Sequence, residues 1–345
     1  MPLLRHLRAP ALALTLLLAL VLGLLGVSAT GPASAGGTDA ADGLVPVDQA
    51  VTTTKDPRKR LGLFVDPLMP AAQQGKRYKK IANKAQALWL GNEYYPTDQV
   101  KDIVKAYTKR AKDAGKTPML VVYSIPDRDC GQYSAGGLPG GKEYKQWIRQ
   151  VAKGVRGSKP LLVLEPDAIP FYDEGACSNA GGRLKLMKFS SQQLSKAGAW
   201  VYLDAGHSDW TPWKDRWKML RKAGVAHARG FSTNVSNFRP LKDEHKYAKY
   251  MVRKLRKAGV KGVKYVVDTS RNGAKKPVSG DVINPTWARI GAAPKLRFKG
   301  AFDGTLWIKH PGESDGTTNG GPSSGQWCDL LADRLLGRKD EGQGC

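Results

Sequence analysis

The feature that most constrains this chain is a repeated alternation, from Leu61 onward, of short apolar runs with longer stretches of helical pattern. The runs are LGLFV (61–65), PMLVVYS (118–124), PLLVLE (160–165), WVYLD (200–204), ARGFS (228–232), VKYVVD (263–268) and GTLWIK (304–309), with ALWL (87–90) as a further candidate. They have strand length, and helical patterns fill the intervals at 97–114, 142–155, 183–197, 213–223 and 240–258. A run that is apolar on both faces reads as a strand of a parallel sheet, and parallel neighbours need a crossover of the kind these helices supply. About seven such units in one domain point to a β/α barrel more than to an open doubly wound sheet. No glycine-rich phosphate fingerprint follows the first run, which argues further against dinucleotide binding.

Polar, Gly-rich or Trp-containing segments follow these runs directly: IPDRDCGQYSAGG, EPDAIP, DAGHSDW, STNVSNF, DTSRNG and IKHPGESDG. In a parallel barrel such loops share the face at the C-terminal ends of the strands, so they converge on one cleft. The acids carried to that face are Asp127, Asp129, Glu165, Asp167, Asp204, Asp268, Glu313 and Asp315. Asp167 stands two residues past an apolar strand, directly after Pro166 and before Ile169, Pro170 and Phe171. Partial burial there raises a carboxyl pKa and keeps its proton near neutrality. Asp129, between Arg128 and Cys130, reads either as a second aspartate that adds like-charge repulsion or as a surface aspartate balanced by Arg128. Glycoside hydrolysis needs such a pair, one acid to protonate the leaving oxygen and a second carboxylate to activate water or stabilise charge. Trp89, Trp210, Trp213 and Trp307 supply indole faces on which sugar C–H faces stack, with His207, Asn234 and Asn237 as polar partners. Trp147 and Trp217 fall on helical stretches and read as core.

Arg5 and Arg8 precede an apolar run from Ala9 to Val27, and Ala33, Ser34 and Ala35 form a small-residue cleavage pattern. Residues 1–35 therefore read as a signal peptide removed near Ala35, with a membrane anchor as the alternative. Residues 36–59 read as a flexible lead-in, and 60–345 as a single catalytic domain of a secreted, monomeric protein. Four cysteines in an exported chain favour two disulfides; of three pairings, the local one joins Cys130 to Cys177 and Cys328 to Cys345. No zinc spacing is present, and no metal or cofactor is expected. The formal charge of +25 implies attraction to polyanions such as an anionic cell wall, while no motif for specific nucleic-acid binding is found.

At these residues the chain resembles glycoside hydrolase family 6, the cellulases and cellobiohydrolases. The stretch VVYSIPDRDCGQYSAGG (121–137) is similar to the family's first signature, and LLVLEPDAIP (161–170) to the second, which carries the acid. DAGHSDWTPW (204–213), STNVSNF (232–238) and WIKHPGESDG (307–316) resemble the substrate-binding segments, in the same order, over about Leu61 to Trp327. The resemblance implies an inverting hydrolase of β-1,4-glucan on a distorted, partly open parallel β/α barrel, a variant of the TIM barrel. It implies that Asp167 is the acid and Asp129 the aspartate that raises its pKa, while Tyr123 presses on the distorted sugar. Asp315 corresponds to the base or charge-stabilising aspartate, with Lys309 and Glu313 beside it. Trp89, Asp204, His207, Trp210, Trp213, Asn234 and Trp307 are expected to line the remaining subsites. The chain departs from the family at DVINP (281–285): Val282 stands where many members have a sugar-stacking Trp, and Ile283 where they have a Cys. That leaves Cys345 as the partner for Cys328, and nearby Trp287 as a candidate substitute platform.

The leading expectation is thus an endo-acting β-1,4-glucanase, favoured over a cellobiohydrolase because a domain of this length leaves room for short loops only. The alternatives are a catalytically retired β-glucan or cell-wall binding protein on the same barrel, and an interaction protein held at an anionic surface by its charge.

Overall fold

The computed structural model describes residues 56–177, 182–339 and 344–345. Its centre is a curled sheet of eight strands among the described residues: β1 Leu88–Leu90, β2 Met119–Val122, β3 Leu161–Leu164, β4 Trp200–Asp204, β5 Gly230–Thr233, β6 Lys264–Asp268, β7 Lys295–Lys299 and β8 Phe302–Leu306. They lie in the order β1-β2-β3-β4-β5-β6-β8-β7. All neighbours are parallel except the β7–β8 hairpin.

Val121, Val163 and Tyr202 pair in register and face the inside of the curl with Met119, Leu161, Val266 and Ile308. The alternate residues Leu120, Leu162, Val201 and Leu203 face outward into a helix-covered core. Burial on both faces is why these strands read as continuous apolar runs instead of alternating ones.

The outer layer is built from helices α1 Lys79–Ala82, α2 Val100–Asp113, α3 Gly141–Val155, α4 Ala168–Glu174, α5 Arg183–Lys196, α6 Arg216–Lys222, α7 Leu241–Lys257 and α8 Asp329–Leu335. On α3 the buried residues Tyr144, Trp147, Ile148, Val151, Ala152 and Val155 recur at helical spacing and form one stripe. Gly154 on the same helix is also buried, and a Cβ there would come within 2.7 Å of the Lys101 carbonyl oxygen and of Val104. Its bare backbone lets α3 and α2 approach.

The barrel is open for a definite reason. β7 pairs with the edge of β8 that a closed barrel would give to β1, covering it as far as Thr305. Above that point the two sides are drawn together: Ala87 N–H donates to the Trp307 carbonyl at 3.2 Å, and the Trp89 indole donates to the Ile308 carbonyl at 2.8 Å.

Two element assignments differ from the sequence reading. LGLFV is not a strand; it makes one isolated bridge, Leu63 to Thr117, buries Phe64 and leaves Leu61 and Val65 exposed. The first strand is instead in ALWL, so the parallel strands still number seven among the described residues. β7 was not anticipated, because its pattern of exposed Lys295, Arg297 and Lys299 with half-buried Leu296 and Phe298 is that of an edge strand. The expected signal peptide, residues 1–35, lies outside the described residues, as does the expected lead-in through Lys55. The last four lead-in residues are folded: Pro57–Lys59 is a 3-10 turn capped by Asp56. Its buried Arg58 donates to the Gly198 carbonyl at 3.0 Å. The disulfides join Cys130 to Cys177 and Cys328 to Cys345, the local pairing.

Replacing Gly154 by valine should overpack the α2–α3 contact and cost about 1–3 kcal/mol. A lowered urea midpoint at unchanged m-value checks this; an unchanged midpoint means the helices do not meet there.

Candidate active site

The turn after β3 carries the central acid. Glu165 and Asp167 both adopt left-handed backbone, with φ of 48° and 66°. Seven of the eleven non-glycine residues with positive φ among the described residues lie on the loops after β2, β3 and β5. Such backbone persists only where surroundings over-determine it. Here they do. The buried Glu165 carboxylate accepts from Ser124 N–H at 3.0 Å, Ile125 N–H at 3.1 Å and the Tyr144 hydroxyl at 2.8 Å. Asp167 N–H donates to Asp204 Oδ2 at 3.0 Å, and α4 begins one residue later. The Asp167 side chain is thereby delivered to a cleft of about 1310 Å³ whose walls include Trp89, Tyr123, Asp129, Lys309 and Asp315.

The two sides of the cleft have opposite electrostatics. Burial, then the charges of Asp204, Asp129 and Asp315, push Asp167 well above the usual carboxylate range. Burial also raises Asp129, against the Ser134 N–H at 2.6 Å and the Arg128 charge. Burial would raise Asp315 too, but the charges of Arg271 and Lys309 outweigh it and hold Asp315 below its ordinary value. Arg271 lies 2.6 Å from Asp315 Oδ2 and Lys309 3.4 Å from Oδ1. Beside them Glu313 Oε1 and His310 Nδ1 are 2.6 Å apart, and His310 Nε2 donates to the Ala87 carbonyl at 2.6 Å. Tyr123 meets Trp89 edge-on at 5.4 Å, and the Arg128 guanidinium sits 4.7 Å over its ring. Across the cleft, burial and then Arg239 depress His207 to about 3, so its imidazole is neutral. Its Nδ1 accepts from Asp209 N–H, which leaves the proton on Nε2.

The structure thus gathers Asp167, Asp129, Asp315, Tyr123, Trp89, His207, Trp210, Lys309 and Glu313 around one cleft. Four expected substrate contacts are not there. Trp307 points outward from the barrel, because pleating sends its neighbour Ile308 inward; it packs with Tyr78, Ile81 and Ala332. Trp213 packs on Tyr247 and Tyr250 with its indole donating to the Ser208 carbonyl. The three-residue spacing from Trp210 precedes the helix at Arg216, so it does not put both rings on one face. Asn234 is fully buried, donating to the Asp268 and Asn237 carbonyls. Asp204 is fully buried behind Asp167. Two other acids are also structural: Asp268 accepts from Ser236, Ser270 and Lys309 N–H groups, and Glu165 serves the turn. Asp127 faces Arg183 at 4.0 Å. Val282 and Ile283 do line the cleft, whereas Trp287 bonds Asp281 and packs on Phe238, so it is no substitute platform.

Sequence reasoning missed Arg271, which lies inside DTSRNG but is meaningful only through its pairing with Asp315, and Tyr133, a half-exposed ring in the cleft wall. An Arg in a loop that follows a strand at the cleft end was the available signal for the first.

The raised carboxyls have a measurable consequence. Burial pushes Glu165, Asp204 and Glu244 each to about 7. The folded chain therefore keeps protons that the unfolded chain releases above about pH 4. Stability contributed this way is present at low pH and is lost as pH rises from about 4 through about 7. Glu165→Gln should flatten that decline by up to about 1.4 kcal/mol per pH unit. Urea unfolding at pH 5, 6 and 7 checks it; a slope identical to wild type rules out a protonated Glu165.

The model of the glycosyl hydrolases family 6 matches residues 65–338. Endoglucanase A of Cellulomonas fimi is 39% identical over 289 residues, covering 80% of this chain and 61% of that protein. Endoglucanase 1 of Streptomyces halstedii is 33% identical over 269 residues, covering 74% and 79%. The structure of the endoglucanase Cel6 from Mycobacterium tuberculosis, solved in complex with methyl-cellobiosyl-4-deoxy-4-thio-β-D-cellobioside, superposes with a TM-score of 0.75 at 35% identity. That alignment covers 84% of this chain and 100% of the other. With its cleft, its acid-bearing turn and these relatives in agreement, the chain belongs to glycosyl hydrolases family 6.

Proposed function

We propose that this chain is a secreted enzyme that hydrolyses β-1,4-glucan with inversion, using Asp167 as general acid. The observation that carries the proposal is the opposed pair of carboxyls in one cleft, Asp167 pushed up and Asp315 held down. Two titratable groups driven apart by their environments mark an acid and a charge-bearing partner. The names of the relatives and the cellobioside-type ligand of the structural neighbour supply the substrate class.

In this reading Asp167 gives its proton to the glycosidic oxygen as the bond breaks, while water attacks the opposite face of the sugar. Asp315 is poorly suited to accept the water's proton, because Arg271, Lys309 and the Asn284 N–H already engage its oxygens. Its role is to stabilise the positive charge that develops on the ring, and the proton leaves through solvent towards Asp129. Trp89 and Trp210 offer indole faces, and neutral His207 offers Nε2–H to a hydroxyl. Endo action is the preferred mode, in line with the relatives' names. One observation favours the exo alternative: the loops after β2 and β8 meet at the Ser134 and Ser324 hydroxyls, 3.0 Å apart, and narrow the cleft.

Asp167→Asn should lower kcat on soluble β-glucan by about 10²–10⁴-fold while leaving the fold intact. Only equal traces of reducing sugar from wild type and variant sink the hydrolase reading and favour a binding protein, whereas full release by the variant removes Asp167 from the acid role. Asp204→Asn removes a charge that raises Asp167, so the alkaline limb of the kcat profile should move to lower pH; a limb that stays in place removes Asp204 from the account. Viscosity that falls steeply against reducing ends supports endo cleavage, and α-configured first product by NMR supports inversion. A slow fall in viscosity, or a β-configured first product, overturns the corresponding part.

A further inference from the structure

Charge is distributed unequally between the two ends of the barrel. The segments that follow the strands at the cleft end, 91–99, 123–140, 165–167, 204–215, 234–240, 268–294 and 307–328, carry thirteen acidic residues and eight Lys and Arg. The segments that lead into β2 to β6 and β8 at the opposite end are 112–118, 153–160, 195–199, 221–229, 254–263 and 299–301. They carry fourteen Lys and Arg and one acid, Asp113, which is already paired with Lys109.

Helix-end electrostatics accounts for part of this, since cations in a last helical turn offset the helix dipole. It does not account for Lys116, Lys159, Lys261 and Lys299, which lie beyond the helix ends. All four are exposed, and none has an ion-pair partner among the described residues. Arg60 adds a further exposed cation beside them, where Arg58 anchors residues 56–60 to the starts of β3 and β4. Holding so many like charges on one face is unfavourable unless solvent or a partner screens them.

We infer that the face opposite the cleft is a docking surface for an acidic polysaccharide, a carboxylate-bearing sugar chain. Two features select that partner among polyanions. Ten of the fourteen cations are lysines, point charges suited to diffuse attraction, whereas phosphate recognition favours the bidentate arginine fork. Among the described residues the face also has no open indole for stacking bases: its Trp200 has the Arg58 guanidinium at 4.1 Å and the Arg229 guanidinium at 4.0 Å over its ring. With the cleft at one end and the cations at the other, a bound polyanion leaves the cleft free. The inference does not depend on the hydrolase reading, because it concerns a different face.

The test is binding of polygalacturonate to the folded protein across a salt series, with dextran as the neutral control. Wild type should bind polygalacturonate but not dextran, with affinity falling steeply as salt is raised. The triple variant Lys159→Gln, Lys261→Gln, Lys299→Gln should bind roughly tenfold more weakly at low salt. Removing equal charge from the cleft end, Lys214→Gln, Lys275→Gln, Lys276→Gln, should change binding much less. An unchanged melting temperature of the first variant shows that it is folded. Equal weakening by both variants, binding insensitive to salt, or tighter binding of duplex DNA than of polygalacturonate each overturns the inference.

Discussion

Much of the site rests on one buried carboxylate. Glu165 lies where β3 ends and accepts hydrogen bonds from two backbone N–H groups after β2 and from Tyr144 on α3. Those bonds hold the loop after β2 against the turn that carries Asp167. They also compensate a residue whose backbone is left-handed without being glycine. A buried acid kept in this way costs stability as pH rises towards its pKa of about 7. The fold tolerates that cost because the same bonds aim Asp167 into the cleft.

The cleft then works by contrast. Asp167 is surrounded by protein and other carboxyls, so it holds a proton, whereas Asp315 is clasped by Arg271 and Lys309, so it holds a charge. Neither aspartate is special alone. Their difference arises because parallel strands deliver loops from distant parts of the chain to one end of the barrel. The same topology sends the loops leading into the strands to the other end, where cations gather.

The open seam belongs to this picture. β7 covers the edge of β8, so β1 cannot complete a ladder, and the two sides meet where Ala87 and Trp89 donate to the Trp307 and Ile308 carbonyls. His310 reinforces that meeting point by donating to Ala87 while facing Glu313. The cleft wall and the closure of the barrel are therefore one structure, and Trp89 belongs to both.

Much was legible from the residues alone. Two-sided burial leaves an apolar run, so six of the seven parallel strands could be placed outright and the seventh named as a candidate. Loops rich in acids after those runs marked the cleft, and Asp167, Asp129 and Asp315 were found there. The cysteines paired locally, as chain proximity favours. What only the tertiary structure decided was direction and partnership. Pleating turned Trp307 away from the cleft, packing took Trp213, and hydrogen bonding buried Asp204 and Asn234. Arg271 acquired its meaning from Asp315, 44 residues away. Sequence records which residue types stand after a strand, but the side a residue faces and the charge it meets depend on elements brought together from elsewhere in the chain.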